Sequence, residues 1–261
     1  MTTPSLGTFT PRPGSAPLSR QIIASSRMET KLLLRNGEQL LIALVIPLIV
    51  LVGGILGAGK IDLTFSHSAV DTLTPGVLAL AIMSTSFASL AIATGFERRY
   101  GVLKRLGASP LPRSGLLAGK VGALLFVEVL QVVVIGLVAT MLGWSFSISI
   151  GTLLGFLGCV LLGTAAFASL GLFIAGVLRA EATLAAANLI YLLLMAGGGV
   201  VIPTTSYGAF GHLLTWLPSG ALGTGMRTVF LDSGFPLMPL VVLAFWTGLG
   251  TFLTSRTFKW E

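Results

Sequence analysis

Long apolar runs punctuated by short clusters of charge set the pattern of this chain. A helix needs about 20 mostly apolar residues to cross the hydrocarbon of a bilayer. Between Glu38 and Lys60 there are 21 uncharged residues, and between Asp71 and Glu97 there are 25. These predict a first span and a second beginning near Pro75. Between Glu128 and Arg179 run 50 uncharged residues, too many for one crossing, and Gly143-Trp144-Ser145 is the natural break. Span three is expected near 115–142 and span four near 149–178. Leu184–Ile202 makes span five, ending at Pro203, and the 23 uncharged residues Ser233–Ser255 make span six. Between these two, Thr204–Leu231 is apolar but interrupted by Gly208, Gly211, Pro218, Gly220, Gly223 and Gly225. Irregular backbone facing lipid is costly, so residues 203–232 are expected to form one or two short helices that dip into the membrane edge and return. The predicted fold is an all-α polytopic membrane protein of six transmembrane helices, with that broken re-entrant segment on the extracellular side before the last span.

Composition agrees with the pattern. Of 261 residues, 54% are hydrophobic and only 10% charged, against about 25% charged in soluble domains. Mean hydropathy is +0.95. A soluble enzyme, a disordered tail and a nucleic-acid-binding domain are excluded. The net charge of +7 then reads as topology, because Lys and Arg accumulate in cytoplasmic loops. Six spans place both termini on one side with every basic residue except Lys60 and Arg227. Both termini are therefore expected in the cytoplasm. Residues 1–18, with Pro4, Pro11, Pro13 and Pro17, read as a disordered lead rather than a secretory signal. Residues 38–255 form the transmembrane domain and 256–261 a cytoplasmic tail.

Two segments carry more information. In residues 19–37, Arg20, Arg27, Lys31 and Arg35 fall within an arc of about 80° on a helical wheel, and Ile22, Ile23, Leu33 and Leu34 occupy a neighbouring arc of roughly 120°. This predicts an amphipathic helix along the cytoplasmic membrane surface, serving either as an anchor to anionic lipid or as a protein-docking element. The second segment is the loop after span two, residues 97–113. Val102, Leu103 and Leu106 stand at helical spacing between Gly101 and Gly107-Pro110, with Arg98, Arg99, Lys104 and Arg105 around them. A short helix here presents an apolar ridge ringed by charge to something in the cytoplasm.

The chain resembles the ABC-2 type permease family, and is closest to its small drug- and antibiotic-export type, such as the daunorubicin permeases. The likeness rests on Glu97, Arg98, Arg99, Gly101, Leu103, Leu106, Ser109-Pro110 and Gly119-Lys120, and on Leu217-Pro218 followed by Arg227. Tyr100 before Gly101, and Lys104-Arg105 where members often place an acid, depart from the pattern. The resemblance implies that Glu97, Arg98, Arg99, Gly101, Val102, Leu103, Lys104, Arg105, Leu106 and Pro110 belong to a coupling helix that fits a separate ATP-hydrolysing subunit. It also implies two ATPase subunits, a second permease subunit (identical or a sister chain) and a place in a bacterial plasma (inner) membrane. No cofactor is expected in this chain, with ATP and magnesium held by the partner ATPase.

Several weaker signals accompany these. Gly54 to Lys60 matches the spacing of a phosphate-binding loop, but Ile61 replaces the Ser/Thr that binds magnesium and no strand precedes it. Gly53 and Gly57, like Gly151 and Gly155, have a GxxxG spacing that permits close helix packing. Cys159 reads as a packing residue, and His67 and His212 lack partners for a metal site. Trp144, Trp216 and His212 suit the membrane interface. Arg227 could pair with Asp232, or meet headgroups or substrate. Glu128 is the one ionisable residue inside a span, with Gln131 one turn on; it serves either a cationic substrate or proton, or a structural hydrogen bond to span four or five. Asn188 and Tyr191 could line a permeation surface or simply pack.

The leading functional expectation is the membrane subunit of an ATP-driven exporter, moving a hydrophobic or amphipathic cargo (drug, antibiotic or lipid) outward by alternating access. The alternative is an ion-driven secondary transporter using Glu128, although such proteins usually place several ionisable groups near midplane. An intramembrane hydrolase lacks a nucleophile with a paired base. No catalytic or metal residue is assigned.

Overall fold

The computed structural model describes residue 14 and residues 16–58, 67–109, 111–147 and 149–258. It is built from helices. Helix α1 spans Leu18–Arg35. α2 comprises Gly37–Leu40, a π-helical stretch Leu41–Val45 and Ile46–Ala58. α3 spans Ala69–Arg99, with a second π stretch at Ser84–Ser89. There follow α4 (Val102–Gly107), α5 (Arg113–Met141), α6 (Ile150–Val177) and α7 (Ala180–Gly197). A 3-10 turn at Thr204–Phe210 leads into α8 (Gly211–Leu214), α9 (Pro218–Phe230) and α10 (Leu237–Thr257). Five helices, α3, α5, α6, α7 and α10, are long and apolar enough to cross a membrane, and Ala43–Gly57 within α2 is a shorter apolar helix. This is the architecture of an all-α polytopic membrane protein.

Helix α3 is the hub. Within its most apolar window 89% of the residues are buried, against 17% to 39% in the other four spans. It touches α2, α5, α6, α7 and α9. Its sequence suits this place: small and hydroxyl residues such as Thr74, Gly76, Ala79, Ser84, Ser86 and Ala88 let neighbours approach on all sides. The helix begins before Pro75, at a cap in which Ser68 accepts from the Asp71 amide at 3.1 Å. Pro75 lies in its second turn. The outer spans show the complementary pattern: Phe126, Val133 and Leu137 on α5, Leu154 and Leu161 on α6, and Phe245 and Phe252 on α10 are more than half exposed, as lipid-facing residues should be.

Three details add to or correct the sequence expectation, one of them a helix boundary. α1, expected as a surface helix, packs along α5. Its buried residues are Ser25 and Glu29, on the side opposite the exposed Arg20, Arg27, Lys31 and Arg35. Span five ends at Gly197, not at Pro203, because Gly198 and Gly199 release the helix and Gly199 takes a left-handed φ of 70°. Trp144 is 8% exposed and packs on Phe146 and Phe230 at 4.5 and 5.2 Å between ring centroids, so its ring is enclosed by protein rather than open at the surface. The 203–232 segment forms two short helices after its 3-10 turn, and α9 is buried against α3, α6 and α10. Most of the lead before α1, Lys60, Pro110 and Lys259 fall outside the described residues.

Candidate functional site

The loop between α3 and α5 is anchored by an ion triad. The Lys120 ammonium on α5 donates to Glu97 at the end of α3 at 2.7 Å and to Glu29 on α1 at 2.9 Å. Three helices thus meet on one cation, with the three side chains 8%, 17% and 11% exposed for Lys120, Glu97 and Glu29. Two carboxylates face one ammonium, and the second Glu97 oxygen is buried with no hydrogen-bond partner among the described residues. Sequence makes the approach possible at Gly119, where a Cβ would lie 2.6 Å from the Ser25 hydroxyl. Any larger residue there would push α1 off α5 and pull Glu29 from Lys120.

The four basic residues of the loop divide into two pairs. Arg98 turns inward and donates to the Gly176 carbonyl and, at 2.6 Å, to the Leu178 carbonyl. It thereby caps the C-terminal end of α6, where unpaired carbonyls and the helix dipole favour a cation. Arg99 pairs with Glu181 in the first turn of α7. Lys104 and Arg105 point outward and are exposed. Between the pairs, Gly101 adopts a left-handed φ of 65°, which a residue with a Cβ takes at a cost. That residue is the hinge between α3 and α4.

The apolar residues of α4 do not form an outward ridge. Leu103 is 4% exposed, and with Leu106 it faces Leu116, Leu172 and Phe258 around a small void. Burying a leucine removes apolar surface from water, so α4 is seated on α5 and α6 through its leucines and shows its cations to the outside. Pro110 lies outside the described residues.

The polar residues within the spans are engaged in packing contacts. Glu128 is 1% exposed and accepts a 2.6 Å hydrogen bond from Thr164 in α6, which is span four. Gln131 accepts from Thr85 at 3.0 Å and donates to the Ala43 carbonyl. Both partners lie in the π-helical stretches of α3 and α2. One amide thus joins three helices where their ladders are widened. Tyr191 is buried in the core with its hydroxyl against Ser84, whereas Asn188 is half-buried on the same helix. α5 and α7 both reach the π stretch of α3, Gln131 at Thr85 and Tyr191 at the adjacent Ser84, but Glu128 and Gln131 make no hydrogen bond to Asn188 or Tyr191 among the described residues.

Arg227 occupies a place that sequence reasoning did not find. It does not pair with Asp232: at 7% exposure it donates to the carbonyls of Gly199 at 3.3 Å, Val200 at 2.8 Å and Val201. The unwound chain after α7 is held between Gly76 of α3 and Gly223 of α9, whose absent side chains leave room for those carbonyls. Tyr207 nearby donates to the Ala196 carbonyl at 2.9 Å. Partial burial raises its hydroxyl pKa, and the Arg227 charge opposes the rise. The run Gly197-Gly198-Gly199 was the available signal for this unwinding. Glu29 left only a faint one, an acid on a helix face otherwise free of charge.

Among the described residues no group of three or more His, Cys, Asp or Glu could hold a metal ion. The arrangement has the parts of a mechanical joint: an exposed cationic helix, a glycine hinge, and an ion triad that ties the joint to α1, α3 and α5. No curated protein matches the chain. The family model for ABC-2 type transporters matches residues 20–231, from the first turn of α1 to the end of α9. The chain belongs to the ABC-2 type transporter family and is a membrane-embedded transport subunit.

Proposed function

We propose that this chain is the permease of an ATP-driven exporter whose nucleotide-hydrolysing subunits are separate polypeptides. α4 is the element they grip, and the cargo is hydrophobic or amphipathic, a drug, antibiotic or lipid. In this reading both termini face the cytoplasm of a bacterium, and two permeases assemble with two ATPases. The observation that carries it is the seating of α4. Its leucines and the Glu29–Lys120–Glu97 triad bind the loop to three helices, while Lys104 and Arg105 remain exposed. A push on α4 is therefore delivered to α1, α3 and α5 together, and packed helices respond by rigid-body tilting rather than by local deformation. Gly53 and Gly57 on α2 support pairing with a second permease, since a Cβ at either would meet nothing within 4 Å among the described residues.

The test separates docking from folding. The double variant Lys104→Glu/Arg105→Glu alters only exposed side chains, so thermal stability in detergent should stay within about 0.5 kcal/mol. Recovery of the ATPase on the tagged permease should fall at least tenfold, and export with it. Retention of the ATPase at the wild-type level, with export intact, would remove α4 from the coupling role.

A further inference from the structure

A second cationic feature lies on another face of α3. A polar cavity of about 380 Å³ is lined by Gly95, Arg98, Arg99, Arg179, Ala180 and Glu181. The seat of α4 is lined by Thr94, Leu103, Leu106 and their neighbours and shares no residue with this cavity except through the helix they both use. Three guanidiniums and one carboxylate give the cavity a formal charge of +2. Arg99 is answered by Glu181. Arg98 is held by two backbone carbonyls, which position it without cancelling its charge. Arg179 is exposed, and its guanidinium has no ion-pair or hydrogen-bond partner among the described residues, although its carbonyl accepts from the Thr183 amide. The floor is rigid, since α3 and α7 pack closely where a Cβ on Gly95 would stand 3.3 Å from Thr183.

The position of the cavity selects among anions. It sits where three apolar helices end: α3 at Arg99, α6 at Val177 and α7 at Ala180. Val177, beside it, is 53% exposed and Tyr100 62%. A ligand here has its charge among guanidiniums and its remainder against the exposed surface of Val177 and Tyr100. Basic pockets between the ends of membrane helices are suited to phospholipid headgroups, and a planar guanidinium binds two phosphate oxygens at once.

We infer that the Arg98–Arg99–Arg179 cavity binds the phosphate of an anionic membrane lipid. The inference rests on the chain being a membrane protein and stands apart from the role given to α4. Arg98 is the fixed floor of the site, Arg179 the free donor, and Glu181 an internal competitor that the lipid phosphate displaces from Arg99.

The experiment uses the full chain in phosphatidylcholine nanodiscs doped with increasing phosphatidylglycerol, read by the number of phosphatidylglycerol molecules retained in native mass spectrometry and by the unfolding midpoint. Phosphatidylglycerol should be retained saturably and should raise the midpoint. Arg179→Ala should weaken its binding about tenfold, whereas Arg256→Ala, an exposed cation elsewhere, should leave it unchanged. Glu181→Gln should tighten it severalfold, because removing the internal carboxylate frees Arg99. A merely structural corner would make both Arg179→Ala and Glu181→Gln lose stability together, with lipid retention unaltered, and that outcome overturns the inference. Equal loss on Arg256→Ala would reduce it to diffuse surface charge. Displacement of phosphatidylglycerol by millimolar inorganic phosphate would reassign the cavity to a free anion.

Discussion

Lys120 and Arg227 are equally buried, each 7% exposed, yet they are compensated in opposite ways. Lys120 is held by two carboxylates that arrive from two other helices. Arg227 is held by consecutive backbone carbonyls of an unwound strand of chain. The chemistry of the two cations explains the difference. An ammonium is a compact point charge best answered by opposite charge, whereas a planar guanidinium carries five donors that can span several neutral acceptors. The mechanical consequences differ too. The Lys120 triad joins helices through side chains, so it can open and close while every helix stays intact. The Arg227 clamp holds backbone that has left its helix, so opening it releases the connection between α7 and α9.

The largest effect expected from breaking this comparison is at Arg227. Arg227→Met would leave the carbonyls of Gly199, Val200 and Val201 buried without a donor, at a cost of about 3–5 kcal/mol. A thermal unfolding series in detergent reads this loss. Arg227→Lys should recover only part of it, because one ammonium cannot reach all three carbonyls. Full recovery would show that charge rather than fork geometry is what the site needs.

Lys120→Met comes next, at about 3 kcal/mol, since it strands two carboxylates that are still partly accessible. The sharper measurement is the triple change with Glu29→Gln and Glu97→Gln, which removes the charge with its partners and should restore most of the lost stability. A triple variant no better than Lys120→Met would mean that the lysine acts through packing alone.

The smallest effect is at Glu29. Glu29→Gln keeps a hydrogen bond to Lys120 and relieves the excess of negative charge in the triad, so stability should fall by about 1 kcal/mol or less. Its signature is local: amide hydrogen exchange should quicken across Leu18–Arg35 while α3 and α5 stay protected. Uniform exchange across all three helices would make α1 an inseparable part of the bundle.

Much of the bundle was legible in the sequence, because charges are costly in hydrocarbon and so bracket most crossings, while Gly143-Trp144-Ser145 divides a run too long for a single helix. The spans expected near 115–142 and 149–178 lie within two residues of the observed ends of α5 and α6. The glycine-broken stretch before α10 was legible as well, as the only apolar run too interrupted for a single crossing. The loop of residues 97–113 could be singled out by its glycines and cations. Which of those cations another helix would hold could not. Arg98 and Arg99 precede Lys104 and Arg105 by one or two turns, and the sequence makes them alike. The free carbonyls at the end of α6 and the carboxylate of Glu181, roughly eighty residues away, separate them. Glu29 stayed hidden for the same reason, because its partner Lys120 is 91 residues distant.

By itself the sequence determined that the chain crosses a membrane several times as helices, and where most crossings begin and end. Those facts follow from the transfer of each segment between water and hydrocarbon, a property of local composition. Only the tertiary structure decided which helix is central, which leucines of α4 turn inward, and how each buried cation is answered. Those outcomes depend on contacts between residues far apart along the chain, where geometry selects one partner from many of equal chemical fitness.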